Sequence, residues 1–226
     1  MSPSPLEKLL EERHSVRAFT KEPVARADLE RMLRAARRAP SGANLQPGHF
    51  HVLTGKALEQ LSAAFAQAIA QDVPHVQEYS YFPNPMPADR KARQRAAGFA
   101  LYDALGIDKR DLEGRRRQFE LNYRFFDAPV GIVVTIDRNM GAGCFIDLGM
   151  SLMALFLAAK ELGYGATGIG ALANYGPTAL EALGLGEDQL VVCGIAIGRE
   201  DTGHPVNGFR TERDELSTFA TFRGFD

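Results

Sequence analysis

The chain has 226 residues, 45% of them hydrophobic and 24% charged, which is enough to bury a full core as one large domain or two small ones. Lys plus Arg number 26 against 28 for Asp plus Glu, a net charge of -2 that argues against nucleic acid or a membrane surface as partner. Cys144 and Cys193 stand far apart with no C-x-x-C or Cys/His spacing, which argues against a disulfide scaffold and a structural zinc site.

In chain order, Met-Ser-Pro-Ser-Pro leads into a charged amphipathic run rather than a signal peptide. The longest apolar run, Met150 to Ala159, is shorter than a bilayer span, so the expected address is the cytoplasm. Leu6 to Glu12 reads as a short helix, and Arg13-His14-Ser15-Val16-Arg17 as the extended segment that follows it. Alternation then sends Arg13, Ser15 and Arg17 to one side and His14 and Val16 to the other. Two guanidiniums on one spot repel unless an anion lies between them, and their forks fit phosphate oxygens. The plainer reading is a pair of solvated arginines at a helix end.

Arg26 to Arg38 is a second helix, with Leu29, Met32, Leu33 and Ala36 on one face. Arg34, Arg37 and Arg38 suit its C-terminal dipole. Ala39 to Gly48 is a loop whose uncharged hydrogen-bonding residues, Ser41 and Asn44 among them, suit a neutral polar ligand. His49 to Leu53 alternates as a strand. His49 and His51 share a face of it, but a metal would need a third ligand and none can be named. A helix follows from Lys56 to Gln71.

From Asp72 to Arg95, prolines interleave with Tyr79, Tyr81 and Phe82. Such an aromatic, irregular stretch reads as a lid or binding loop rather than a polar linker, within an insertion spanning about 72–110. A helix over Asp108 to Phe126 carries Arg115-Arg116-Arg117 as a solvated face. Ala128 to Ile136 is a buried strand, Phe145 to Leu162 a helix apolar nearly all round, Ala166 to Leu172 a strand, Pro177 to Leu183 a helix, and Leu190 to Ile197 a strand. The tail from Arg199 to Asp226 carries Phe209, Phe219, Phe222 and Phe225, too many for a free tail. It is expected to pack on another surface, such as a partner subunit, as a C-terminal extension at about 203–226. Together these elements predict one α+β domain over 1–226, a mixed and mainly antiparallel sheet flanked by helices.

Gly163-Tyr164-Gly165-Ala166-Thr167-Gly168 satisfies G-x-G-x-x-G, but that motif needs a strand before it and a helix after it. Here a helix precedes and a strand follows, so the dinucleotide reading is rejected. A helix cap explains Gly163 and Gly165, although glycines also let backbone approach a flat ligand. With no G-x-S-x-G, P-loop or H-E-x-x-H, a phosphate clamp and a polar loop suggest that a cofactor carries the chemistry.

Arg13-His14-Ser15-Val16-Arg17-Ala18-Phe19, followed by Ala39-Pro40-Ser41-Gly42-Ala43-Asn44-Leu45-Gln46-Pro47, resembles the opening signature of the flavin-dependent nitroreductase family. The likeness runs on through Asn122 to Pro129, Glu161 to Gly165, Gly194 to Gly198 and Phe209-Arg210, and so spans nearly the whole chain. Tyr81-Phe82-Pro83 and Leu101 to Ile107 are similar to the nitrobenzoate and nitroaromatic reductase branch. The resemblance implies an intertwined homodimer with FMN at the subunit interface and ping-pong transfer of electrons from NADPH or NADH to an aromatic acceptor, nitroaromatic or quinone-like. It implies that Arg13, His14, Ser15, Arg17 and Arg210 surround the FMN phosphate and ribityl chain. Pro40, Ser41, Gly42 and Asn44 would edge the ring from the other subunit, and Thr167, Gly168, Ile169 and Gly170 would lie along it. No catalytic side chain is implied, since the flavin's N5 carries the reaction. Ile169-Gly170-Ala171 depart from the larger or acidic residues that relatives often carry there. Enone reduction, dehalogenation, flavin fragmentation and flavin storage without turnover are the competing functions.

Overall fold

A computed structural model describes residues 2–225 of the chain. Its centre is β2 (Val130–Asp137), buried along all but its last residue. The strand can be apolar on both faces because helices cover both. It lies between β1 (His49–Thr54) and β4 (Gln189–Gly198), and β3 (Gly165–Ile169) completes the order β1-β2-β4-β3. Every pairing among these strands is antiparallel. The parallel component expected of a mixed sheet is one bridge, Ser15 with Ala166, on the outer edge of β3.

Alternation divides the core. Val133, Ala196 and Ile169 face α3 (Gly55–Ala70) and α7 (Gly176–Leu183), where Leu61, Phe65 and Ala179 are buried. Ile132, Val134, Ile195 and Ile197 face α2 (Arg26–Arg37) and α6 (Ala142–Glu161), against Met32, Leu148 and Leu155. Each large side chain so buried contributes about 1.5 to 3 kcal/mol. The first helix, α1 (Pro5–Glu12), begins at a capping box in which Ser4 and Glu7 satisfy each other's backbone N–H.

Four expectations shift. The helix over Asp108 to Phe126 breaks into α5 (Leu112–Glu120) and a 3-10 stretch, Leu121–Asp127. Phe125, Phe126 and Asp127 take φ of 51°, 53° and 54° there. Left-handed backbone costs about 1 to 2 kcal/mol per residue, yet the turn sends both phenyl rings into the core, at 0% and 6% exposure. The strand expected to Leu172 stops at Ile169, where Gly170–Tyr175 winds as a 3-10 turn. The segment from Asp72 is irregular only to Pro87, because Ala88–Ala104 forms α4.

The fourth concerns α6. Met150 to Ala159 is the middle of a 20-residue helix, which by length and composition is long and apolar enough to cross a membrane. The residues from Ala142 onward lengthen the run. One stripe of it is buried, Leu148, Ser151, Leu155 and Ala159, with Ser151 Oγ donating to Ala36 C=O at 2.6 Å. Ile146 and Met150 on the opposite stripe are exposed. In the tail, α8 (Leu216–Phe219) is a single turn, and Phe219, Phe222 and Phe225 are exposed within this chain. Met1 and Asp226 lie outside the described residues.

A cleft lined by four arginines

The extended segment after α1 is fastened along β3. Val16 N–H donates to Ala166 C=O at 3.3 Å, while Thr20 N–H and Asp201 N–H make crossed bonds with Arg199 and Ala18 carbonyls. Val16 points inward at 1% exposure. Gly165 leaves room for it, since a Cβ there would stand 2.6 Å from Val16 Cγ2. That contact, together with the cap at Gly163, accounts for the first two glycines of the rejected motif. With Val16 inward, Arg13, Ser15 and Arg17 face a cavity of about 580 Å³, whose far wall is Arg210 and Arg213 and whose rim includes Gly98 and Leu101 of α4.

The cavity is strongly cationic. Four guanidiniums line it against one carboxylate, Glu11. Among the described residues no ion pair involves any of the four. Arg13 Nε is buried with no hydrogen-bond partner. Burial, then the nearby charge of Arg213, pushes the Arg13 guanidinium below its ordinary pKa, and burial alone does so for Arg17. Charge held this way is destabilising until an anion arrives. Asn207 assembles the two walls: its Oδ1 accepts from Arg17 N–H at 2.9 Å, and its Nδ2 donates to the Ala18 and Asp201 carbonyls. Arg210 in turn donates to Asn207 C=O at 2.7 Å.

His14 touches the same cavity yet commits both ring nitrogens to the protein, one to Glu200 Oε1 at 2.9 Å and the other to Glu12 C=O at 3.0 Å. Its part is to hold the segment in place. Arg213 and Asn207 escaped sequence reasoning. A second arginine three residues after Arg210 was the available signal for one, and nothing short of the fold marks the other.

β3 runs from this cleft to a second cavity, about 730 Å³, between Tyr81, Phe82, Phe119 and Gly170. Five strand residues span roughly 16 Å. Ala166 turns its C=O to the outer edge, so alternation aims the N–H and C=O of Gly168 the same way, beyond the end of the Ser15 bridge. Thr167 and Ile169 are buried at 2% and 1% exposure and offer no side chain to a ligand. Gly168 and Gly170 keep the edge flat, and a Cβ at Gly170 would stand 2.9 Å from the Tyr81 ring. Of the three lid aromatics, Tyr79 is an anchor: its hydroxyl donates to Val192 C=O at 2.5 Å, its ring packs on Phe145, and burial raises its pKa. Tyr81 and Phe82 are 62% and 53% exposed and pack edge-on against each other at the rim of this cavity.

The loop carrying Pro40, Ser41, Gly42 and Asn44 lines neither cavity of its own chain. Gly42 N–H donates to Asp147 Oδ2 on α6 at 3.0 Å, and Ser41 Oγ accepts from Gln46 N–H at 2.9 Å. Arg37 donates to the Gln46 and Gly48 carbonyls, so it braces the loop as well as suiting the α2 dipole. His49 pairs with Asp137 and His51 with Thr135. No group of three potential metal ligands exists among the described residues.

The Nitroreductase family profile matches residues 10–199. The chain is 36% identical to the chloronitrobenzene nitroreductase of Comamonas testosteroni over 218 residues, 96% of each protein. It is 35% identical to the 4-nitrobenzoate reductase of Pseudomonas putida over 214 residues, 95% of this chain and 93% of the relative. Among solved structures, the FMN and NADPH-dependent nitroreductase NfnB from sphigopyxis sp. strain HMH superposes with a TM-score of 0.93 at 39% identity, covering 96% of this chain and 98% of that one. The FMN-dependent NfnB from Mycobacterium smegmatis, solved in complex with NADPH, superposes at 0.91 with 29% identity, covering 96% and 97%.

Proposed function

This chain belongs to the nitroreductase family, and from that premise we propose that it binds FMN and passes electrons from NADPH or NADH to a nitroaromatic acceptor, or to a quinone of the same flat shape. The observation that carries this reading is the arginine cleft. Four guanidiniums with a buried, unpartnered Nε fit a phosphate dianion, and the flat strand edge leading from the cleft at Gly168 and Gly170 suits a planar ring. The chemistry FMN supplies when bound is two-electron transfer, taken up from the nicotinamide in one half-reaction and given to the acceptor in the next, a ping-pong order.

The chain's own residues bind, orient and exclude water. Arg13, Arg17, Arg210 and Arg213 fix the phosphate end, Ser15 adds a hydroxyl, and the Gly168 N–H stands ready for an acceptor on the ring's edge. Tyr81 and Phe82 stack over an aromatic acceptor, while Tyr79 tethers that segment to β4. No side chain is needed to abstract a proton.

We extend the proposal to a homodimer. Ile146 and Met150 form an exposed apolar patch on α6 that no part of the described chain covers. A second copy of the helix would cover it and, through Asp147 and Gly42, carry the Pro40 to Asn44 loop toward the partner's flavin. The same patch accounts for the membrane-like composition of α6. The functional test is a visible spectrum of the FMN-loaded protein without oxygen. NADPH or NADH is expected to bleach the flavin band and nitrobenzene to restore it. A band that neither nicotinamide bleaches would leave a flavin-storage protein.

A further inference from the structure

The two walls of the arginine cleft come from opposite ends of the chain, Arg13 and Arg17 just after α1 and Arg210 and Arg213 in the tail. One side chain joins them. Among the described residues, every hydrogen bond from residues 202–213 to a residue before Asp201 is made by the Asn207 amide. Its Oδ1 accepts from Arg17 N–H, and its two Nδ2 hydrogens go to the carbonyls of Ala18 and Asp201, each at 2.9 Å. Both donors are spent and the acceptor is engaged, on a residue only 3% exposed. The backbone C=O of Asn207 accepts from Arg210 Nη1 at 2.7 Å. One wall therefore hangs on its side chain and the other on its main chain, although Asn207 does not itself line the cleft. A carboxylate of the same shape would face two carbonyl oxygens, and a smaller side chain would leave the Arg17 N–H without its partner.

From this we infer that Asn207 is the positioning residue of the clamp: it fixes the spacing of the Arg17 and Arg210 guanidiniums, and so raises affinity for the ligand's phosphate while touching no part of the ligand. The inference rests on reading the cleft as the seat of the FMN phosphate. Bonds from a guanidinium fork to phosphate depend on where the fork stands, whereas a flat ring held along β3 gains nothing from that spacing.

The test titrates the apo-protein with FMN and with riboflavin, in the unaltered chain, Asn207→Ala and Asn207→Asp. Each substitution is expected to cut the preference for FMN over riboflavin at least about tenfold, the equivalent of one charge-assisted contact, and to leave riboflavin affinity unmoved. Asn207→Asp separates positioning from packing. It keeps the shape and one acceptor, so a packing role predicts no loss, whereas a positioning role predicts one because oxygen meets oxygen at Ala18 and Asp201. An unchanged preference in either variant, or equal weakening of both flavins, overturns the inference. Riboflavin binding shows that a variant is folded. If neither variant folds, amide hydrogen exchange in the unaltered protein decides: FMN is expected to slow exchange of the Arg17 N–H that donates to Asn207, and riboflavin to leave it unchanged. An Arg17 N–H that FMN leaves unchanged overturns the inference. If the unaltered protein binds the two flavins alike, the phosphate reading of the cleft fails and takes the inference with it. If it prefers FMN and the variants keep that preference, the reading stands and only the role of Asn207 falls.

Discussion

Arg17→Ala is expected to weaken FMN binding about 10- to 150-fold in a titration of the apo-protein. A charge-assisted hydrogen bond to phosphate is worth about 1.5 to 3 kcal/mol, and 1.4 kcal/mol is a factor of ten. An exposed arginine would be worth about 0 to 1 kcal/mol. Arg17 belongs to the first case because burial already depresses its guanidinium pKa and because its own backbone N–H is pinned by Asn207. The apo-protein should respond in the opposite sense. Removing a buried guanidinium that has no carboxylate partner relieves its desolvation, so the unfolding midpoint is expected to hold or rise. At a fixed FMN concentration, about 1.4 to 3 kcal/mol of ligand-induced stabilisation should disappear. Equal flavin affinity in Arg17→Ala and the unaltered protein would remove Arg17 from the clamp.

The second large effect is expected on α6. Ile146→Asp combined with Met150→Asp places two carboxylates on a stripe whose members are 69% and 38% exposed in the single chain. If a second copy covers that stripe, each carboxylate loses its water without gaining a donor, at about 1 to 3 kcal/mol or more apiece. The dimer dissociation constant should then rise at least about thirtyfold, seen in sedimentation as a shift toward monomer at micromolar concentration. FMN should be lost along with the dimer, because Pro40, Ser41 and Asn44 line no cavity of their own chain. In the isolated chain both positions face solvent, so the folded monomer should survive. Unchanged sedimentation would place the subunit contact elsewhere.

These two sites show how unevenly the sequence revealed the structure. Alternation from Arg13 to Arg17 was readable because an extended backbone has a fixed period, and the inward turn of Val16 follows from it. The second wall of the cleft was half visible. Arg210 was picked out by resemblance, while Arg213 looked like any charge in a polar tail, and Asn207 matters only because the tail folds back on Ala18. The lid aromatics form a regular series in sequence, yet only Tyr79 finds a backbone acceptor in β4. That contact is set by tertiary geometry and divides one anchored ring from two exposed ones. The reversal at Phe125 and Phe126 had no local signal, since left-handed phenylalanines are stable only where a core receives both rings.

The arginine cleft is the feature on which the flavin assignment turns, and the most direct test compares FMN with riboflavin in titrations of the apo-protein. The two ligands share the ring and the ribityl chain and differ only in the phosphate. With at least two charge-assisted contacts at about 1.5 kcal/mol or more each, FMN is predicted to bind on the order of a hundredfold tighter or more, and salt should weaken FMN alone. Riboflavin binding within a few fold of FMN would contradict the assignment, because four unpaired guanidiniums would then be facing something other than the flavin's phosphate.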